Sequence, residues 1–121
     1  KMADFTAQAN AQSLVVVQLE HEAAIRNADE ILKVAGIDVF FIGPSDLSQS
    51  MGHPGNPKAP PVATAITATL AKIRAAGKAP GMPATADTAA DVFASGCRYI
   101  YTHVPRLIAT GADAFLKKGR G

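Results

Sequence analysis

Two acidic residues, Glu20 and Asp46, are the first candidates for chemistry because each follows a short, strongly apolar run. Residues 14–19 read LVVVQL and residues 39–42 read VFFI, and both runs are typical of buried parallel strands. In parallel α/β folds the functional groups gather at the carboxyl ends of the strands. Two carboxylates there suit a hard divalent cation such as Mg²⁺, which keeps water positions open for substrate oxygens.

On spacing alone, a structural role for these two acids is favoured over a metal site. Acids are common in the first turn of a helix, where the helix dipole stabilises them. The segment Gly43-Pro44-Ser45-Asp46 has a second chemical use, because a turn that opens into a helix presents backbone N–H groups able to hold a carboxylate. As a bare tetrapeptide it fits an ordinary turn equally well.

The other reactive side chains favour no alternative mechanism. A Schiff-base enzyme needs a desolvated lysine in its site. The lysines lie instead on predicted helices, in a loop or before a strand: Lys33, Lys58, Lys72 and Lys78. His21 is expected to orient Glu20 or to cap a helix, and His103 to be a loop residue. Cys97 has no arranged base partner, so we expect no nucleophilic role for it.

Composition limits the class of protein. The chain has 121 residues, of which 48% are hydrophobic and 18% charged, as in a core-forming globular domain. Its net charge of +2 is too small to indicate nucleic acid or an anionic membrane as partner. No apolar run approaches the roughly 18 residues that span a bilayer. The single cysteine favours a reducing, cytoplasmic location, and the missing initiator Met suggests a fragment or a processed product.

Strand and helix patterns alternate four times, which predicts a parallel sheet with right-handed crossovers. The predicted strands are residues 14–19, 39–42, 79–82 and 98–102; the predicted helices are 21–35, 62–73, 86–95 and 104–116, after a helix end near residues 2–9. We expect residues 45–61 to be a long loop with at most a short turn of helix. An open doubly wound sheet and a segment of an eight-stranded barrel both fit, since four strands cannot close such a barrel.

An ordered series of motifs resembles the HpcH/HpaI aldolases, a family of metal-dependent class II pyruvate aldolases. The motifs are Val17-Gln18-Leu19-Glu20, Gly36-Ile37-Asp38, FIGPSDLS at 41–48, Met51-Gly52, Gly55-Asn56-Pro57 and AAGKAPG at 75–81. They run through nearly the whole chain, and the interval from Glu20 to Asp46 agrees with that of the family. The resemblance therefore outweighs the preference for a structural role and favours the metal site at Glu20 and Asp46. It implies that residues 1–121 are one segment, the C-terminal half of a (β/α)₈ barrel equivalent to its strands five to eight.

The resemblance also implies a reaction and a set of site residues. The reaction is reversible retro-aldol cleavage of a 4-hydroxy-2-keto acid to pyruvate and an aldehyde, with Lewis-acid catalysis by Mg²⁺, Mn²⁺ or Co²⁺. Glu20 and Asp46 match the two metal-binding carboxylates. The positions that match substrate-binding residues are Gln18, Gly43, Pro44 and Ser45, and the backbone amides of Ser45 and Asp46 match those that hold the pyruvate carboxylate.

Some of the family pattern is missing or altered. The catalytic histidine and a pocket arginine belong to the first half of the barrel, so neither can be assigned here. Pro83, Ala35 and the segment Thr102-His103-Val104 depart from the residues expected at their positions, which puts the substrate in doubt. Two alternatives stay open: a citrate-lyase-like acyl-CoA lyase, and a non-catalytic half-barrel that oligomerises. The expected protein partner is a second copy of the chain or the missing N-terminal half.

Overall fold

The fold is that of a computed structural model, which describes residues 1–120. Four parallel strands form one sheet in the order of the chain: β1 (Val16–Leu19), β2 (Val39–Ile42), β3 (Ala79–Pro83) and β4 (Tyr99–Tyr101). The helices are α1 (Met2–Gln12), α2 (Glu22–Arg26), α3 (Ala28–Ile31), α4 (Pro44–Ser50), α5 (Pro60–Ala75), α6 (Ala89–Ala94) and α7 (Val104–Gly119). The predicted parallel α/β alternation is confirmed. Because the strand order never reverses, the sheet corresponds to part of a barrel wall and not to a doubly wound sheet.

One face of the sheet is covered by helices and holds the core. Helix α5 contributes an apolar stripe at helical spacing: Val62, Ile66, Leu70 and Ile73. These side chains form one cluster with strand and helix residues that include Leu19, Phe40, Ile42, Leu47, Val92 and Cys97. Burial of this stripe fixes the sheet against the helical layer, since the removal of apolar area from water is the main stabilising term in folding.

The opposite face, called here the inner face, carries the alternate strand residues. Gln18, Phe41, Gly81 and Tyr99 are register partners and form one row across the four strands. Phe41 is only 3% exposed on this face, because the rings of Tyr99 and Tyr101 lie at centroid distances of 6.1 and 5.2 Å from its ring. The two tyrosines themselves stay partly exposed.

The prediction of a single helix over residues 21–35 is wrong. The segment consists of two short helices, α2 and α3, that meet at Asn27, where the backbone has φ −95° and ψ 14°. Asparagine competes with helical geometry through its own polar side chain and favours caps and turns. Ala35 lies beyond α3, in the irregular segment that leads to β2.

The predicted loop over residues 45–61 contains more helix than expected. Helix α4 begins at Pro44, directly after β2, and runs for seven residues. Proline is well suited to the first helical position, since its fixed φ is helical and its missing N–H would have had no partner there. Helix α6 begins at Ala89, later than predicted, because residues 85–88 form a turn in which the Thr88 hydroxyl accepts the Thr85 N–H at 2.9 Å.

The first and last helices bury no residue against the rest of the described chain. Helix α7 is nevertheless amphipathic. Its large apolar side chains are between 48% and 77% exposed: Val104, Leu107, Ile108, Phe115 and Leu116. Within residues 1–120, no helix combines the length and apolarity needed to cross a bilayer.

We expect Gly81→Ala to destabilise the chain by about 1–3 kcal/mol, the usual cost of overpacking a filled site. A Cβ at Gly81 would lie 2.8 Å from Phe41 Cδ2 and 2.9 Å from the Tyr99 carbonyl oxygen. Urea unfolding followed by circular dichroism measures the change. The matched control is Gly111→Ala in α7, where a Cβ would meet nothing within 4 Å. It should be neutral or stabilising by up to about 1 kcal/mol, and equal losses in both variants would contradict the packing argument.

Candidate functional site

An open cleft of about 510 Å³ lies at the carboxyl ends of β1 and β2. Glu20 and His21 line it from the end of β1, and Asp46, Gln49 and Ser50 line it from α4. The two acids singled out in the sequence therefore face the same space, although 26 positions separate them in the chain.

The pairing of β1 with β2 explains this arrangement. Leu19 is the register partner of Ile42, and the Gly43 N–H donates to the Leu19 carbonyl oxygen at 3.1 Å. Both strands therefore end at the same level of the sheet. Because α4 starts immediately at Pro44, Asp46 falls in its first turn and lies beside the end of β1.

Gln18, Glu20 and Gly43 form the contact beneath the cleft. The side-chain amide of Gln18 donates from Nε2 to Glu20 Oε2 at 2.5 Å. A Cβ at Gly43 would lie 2.6 Å from Gln18 Nε2 and 2.9 Å from Glu20 Cβ. Only glycine permits this close approach, so Gly43 allows Gln18 to hold one oxygen of the Glu20 carboxylate. Glu20 is half-buried and Asp46 is exposed, which leaves both carboxylates open to the cleft.

The other two predicted substrate-binding residues lie at the start of α4 and do not line this cleft. Pro44 is the first residue of the helix. The carbonyl oxygen of Ser45 accepts the Ser48 hydroxyl at 2.7 Å. The backbone N–H groups of Ser45 and Asp46 belong to the first helical turn, where N–H groups have no intrahelical acceptor.

Sequence reasoning missed Gln49 and Ser50. The Ser50 hydroxyl oxygen accepts the Glu22 N–H at 3.0 Å and donates to the Leu47 carbonyl at 2.9 Å, so it joins α2 to the end of α4. Gln49 lies three positions after Asp46, which places both on one face of a helix. That signal was hidden because this segment was predicted to be a loop.

His21 has the capping role that was one of its two expected roles. Its Nδ1 accepts the Ala23 N–H at 3.1 Å, which caps the start of α2. The imidazole still contributes to the lining of the cleft next to Glu20.

The donor set of the cleft fits a hard cation. Its acidic groups are two carboxylates, and within residues 1–120 no three His, Cys, Asp or Glu side chains are placed so that they could hold a metal ion together. Mg²⁺ is held in this way by one or two carboxylates, with water and substrate oxygens completing the shell. The thiol of Cys97, a ligand for softer metals, is buried in the core.

Comparisons with known proteins identify the family. The family model described as HpcH/HpaI aldolase/citrate lyase matches residues 3–114. A 4-hydroxy-2-oxo-heptane-1,7-dioate aldolase of Klebsiella pneumoniae is 42% identical over 116 residues, which are 94% of this chain and 44% of that protein. The Shigella sonnei protein of the same name is 48% identical over 82 residues, 68% of this chain and 31% of that protein.

Solved structures agree with the fold. A HpcH/HpaI aldolase/citrate lyase family protein from Burkholderia cenocepacia superposes with a TM-score of 0.90 at 31% identity, covering 99% of this chain and 48% of that one. A HpcH/HpaI aldolase from Desulfitobacterium hafniense has a TM-score of 0.79 at 24% identity, with 97% and 47% covered, and shows likeness of fold alone.

The chain thus spans less than half the length of each of the four relatives named above. The family match covers most of its residues, and the parallel sheet superposes almost completely on a solved member. The chain belongs to the HpcH/HpaI aldolase/citrate lyase family.

Proposed function

We propose that residues 1–121 form the C-terminal, metal-binding half of a class II pyruvate aldolase. The complete enzyme would cleave a 4-hydroxy-2-keto acid reversibly to pyruvate and an aldehyde. The observation that carries the proposal is the meeting of Glu20 and Asp46 in one cleft at adjacent strand ends. Membership of an aldolase family and the names of the curated relatives support the reaction type.

In this proposal Glu20 and Asp46 hold a divalent cation, Mg²⁺, Mn²⁺ or Co²⁺. Such a cation supplies Lewis-acid polarisation of the substrate's keto oxygen. Gln18 holds the Glu20 carboxylate in position through its 2.5 Å hydrogen bond. The second N–H of the Gln18 side-chain amide and the N–H groups at the start of α4 would bind and orient the 2-keto acid, at positions that the family resemblance assigns to substrate binding.

The reaction breaks the bond between C3 and C4 of the substrate. The C4 hydroxyl loses its proton as the aldehyde forms, and the electron pair of the broken bond passes to C3 of the pyruvate fragment. C3 then takes up a proton to give pyruvate. His21, which lines the cleft, accepts the hydrogen bond that caps α2 at its Nδ1. That nitrogen is therefore not free to accept the proton. We assign the proton-accepting base to the first half of the barrel, in accord with the family pattern.

The partner implied by this proposal is the missing N-terminal half, or a second copy of the chain. The inner face of the sheet leaves Tyr99 and Tyr101 partly exposed, and α7 presents an apolar stripe that the described residues do not cover. Both surfaces are the kind that protein contacts bury. The buried, free thiol of Cys97 supports a cytoplasmic location.

Asp46→Asn should weaken Mn²⁺ or Mg²⁺ binding by more than about tenfold, because an amide oxygen lacks the charge that holds a hard cation. Glu20→Gln should have a similar effect. Isothermal titration calorimetry on the purified chain measures both. Asp113→Asn, at an exposed acid on α7, is the matched control and should bind like the wild type. An unchanged affinity of Asp46→Asn for Mn²⁺ or Mg²⁺ would contradict the proposed metal site.

Gly43→Ala should weaken metal binding by about tenfold while both carboxylates remain, as is typical when the support of a ligand is lost. The added methyl group would displace Gln18 Nε2, which lies 2.6 Å from its position. The same titration tests this, with Gly111→Ala as the control. If Gly43→Ala binds metal normally, the Gln18–Glu20 hydrogen bond has no role in holding the cation.

The chain alone should release no pyruvate from a 4-hydroxy-2-keto acid, and co-expression with the first half of the Klebsiella relative should restore turnover. The reason is that the base is assigned to that half. A lactate dehydrogenase-coupled assay measures pyruvate, and Glu20→Gln in the reconstituted complex should abolish the signal. Turnover by the chain alone would contradict the assignment of the base. A soluble complex without turnover would favour the non-catalytic half-barrel.

A further inference from the structure

The two chain segments that carry Glu20 and Asp46 are tied together at two levels. Below the acids, the Gly43 N–H donates to the Leu19 carbonyl oxygen at 3.1 Å, at the end of the β1–β2 pairing. Leu19 directly precedes Glu20, and Gly43 lies three residues before Asp46. This bond sets the level at which both segments leave the sheet, but it does not determine how far apart they lie afterwards.

The second tie is the side-chain hydroxyl of Ser50, the last residue of α4. Its oxygen accepts the Glu22 N–H at 3.0 Å, and it donates its own hydrogen to the Leu47 carbonyl oxygen at 2.9 Å. Glu22 lies two residues after Glu20, and Leu47 directly follows Asp46. One hydroxyl therefore connects the backbone just beyond the first acid to the backbone just beyond the second.

A hydroxyl suits this place because a single oxygen atom both donates and accepts a hydrogen bond. The N–H of Glu22 belongs to the first turn of α2, where the helix itself supplies no acceptor. Ser50 supplies that acceptor from 28 positions further along the chain. Ser95, after α6, makes the same backward bond to the Val92 carbonyl oxygen at 2.6 Å, but its other contact is Cys97, only two residues away.

The separation of two carboxylates influences which divalent cation they hold. Mg²⁺ requires ligand oxygens at about 2.0–2.1 Å in a nearly regular octahedron, whereas Ca²⁺ accepts oxygens at about 2.3–2.6 Å in variable geometry. Selectivity between these ions depends on the size of the site and on the flexibility of its ligands. Two carboxylates whose segments are tied together therefore favour the smaller ion more than two carboxylates whose segments can move apart.

We infer that Ser50 is a positioning residue, which fixes the separation of Glu20 and Asp46 and thereby raises the affinity of the site for Mg²⁺ relative to Ca²⁺. The inference rests on the proposed function, because it needs a cation held by these two acids. Ser50 contacts neither the cation nor the substrate in this role. It acts through the backbone of Glu22 and Leu47, to which its hydroxyl is bound.

Isothermal titration calorimetry of the purified chain with Mg²⁺ and, separately, with Ca²⁺ tests the inference. Ser50→Ala should lower the Mg²⁺ affinity by about tenfold, the usual loss when a group that supports a metal ligand is removed. The Ca²⁺ affinity should fall by less than about threefold, because the variable geometry of Ca²⁺ tolerates a wider separation of the acids. The ratio of the Mg²⁺ to the Ca²⁺ affinity should therefore decrease.

Ser95→Ala is the matched control, because it removes the same backward hydrogen bond at the end of a short helix. Ser95 precedes β4 and so lies at the amino ends of the strands, away from the cleft. Both affinities should stay unchanged in this variant. Ser50→Thr keeps a hydroxyl that can make both hydrogen bonds and should restore the Mg²⁺ preference. Far-UV circular dichroism establishes that each variant is folded.

Equal losses of Mg²⁺ and Ca²⁺ affinity in Ser50→Ala would overturn the inference, because the hydroxyl would then support only the fold of the cleft. An unchanged Mg²⁺ affinity would also overturn it. If Ser50→Ala does not fold, Ser50→Cys takes its place, since a thiol is of similar size but a weak hydrogen-bonding group, and the same change in ratio is expected. A wild-type chain that binds neither cation contradicts the proposed function itself, whereas a wild-type chain that binds Mg²⁺ with no change of ratio in the variant contradicts only the role of Ser50.

Discussion

The parallel pairing of β1 with β2 is the constraint on which the candidate site depends. Its register places Leu19 opposite Ile42, so the two strands end at one level. Everything beyond that level follows from short connections: Glu20 comes one residue after β1, and α4 starts two residues after β2. A register slip by one residue would turn alternate side chains to the opposite face and would separate the two acids.

Two glycines allow side chains to approach the strands closely. Gly43 leaves space for the Gln18 amide beside Glu20, and Gly81 leaves space for the Phe41 ring across β3. One contact lies under the candidate metal site and the other under Tyr101. Gly43, directly after β2, makes room for Gln18 and Glu20 at the end of β1, whereas Gly81 lies between Phe41 of β2 and Tyr99 of β4.

The alternation of strands and helices could be predicted from local pattern, because buried parallel strands and an amphipathic helix such as α5 carry strong periodic signals. Helix α4 could not, since proline, serine and glycine dominate that segment and suggest a loop. The break at Asn27 was also missed, because the apolar spacing of residues 24–32 fits one helix as well as two. Gln49 and Ser50 were missed because their place in the cleft depends on α4, which was not predicted.

The sequence by itself determined the fold class, the family and the identity of the two acids, because these depend on periodicity and on motifs that are local in the chain. Only the tertiary structure decided that Glu20 and Asp46 share a cleft, that Gly43 is needed by Gln18, and that Phe41 and Tyr101 stack across an intervening strand. Such contacts join residues that are from 25 to 60 positions apart or lie on different strands. Their physical basis is strand register and steric fit, which no local pattern encodes.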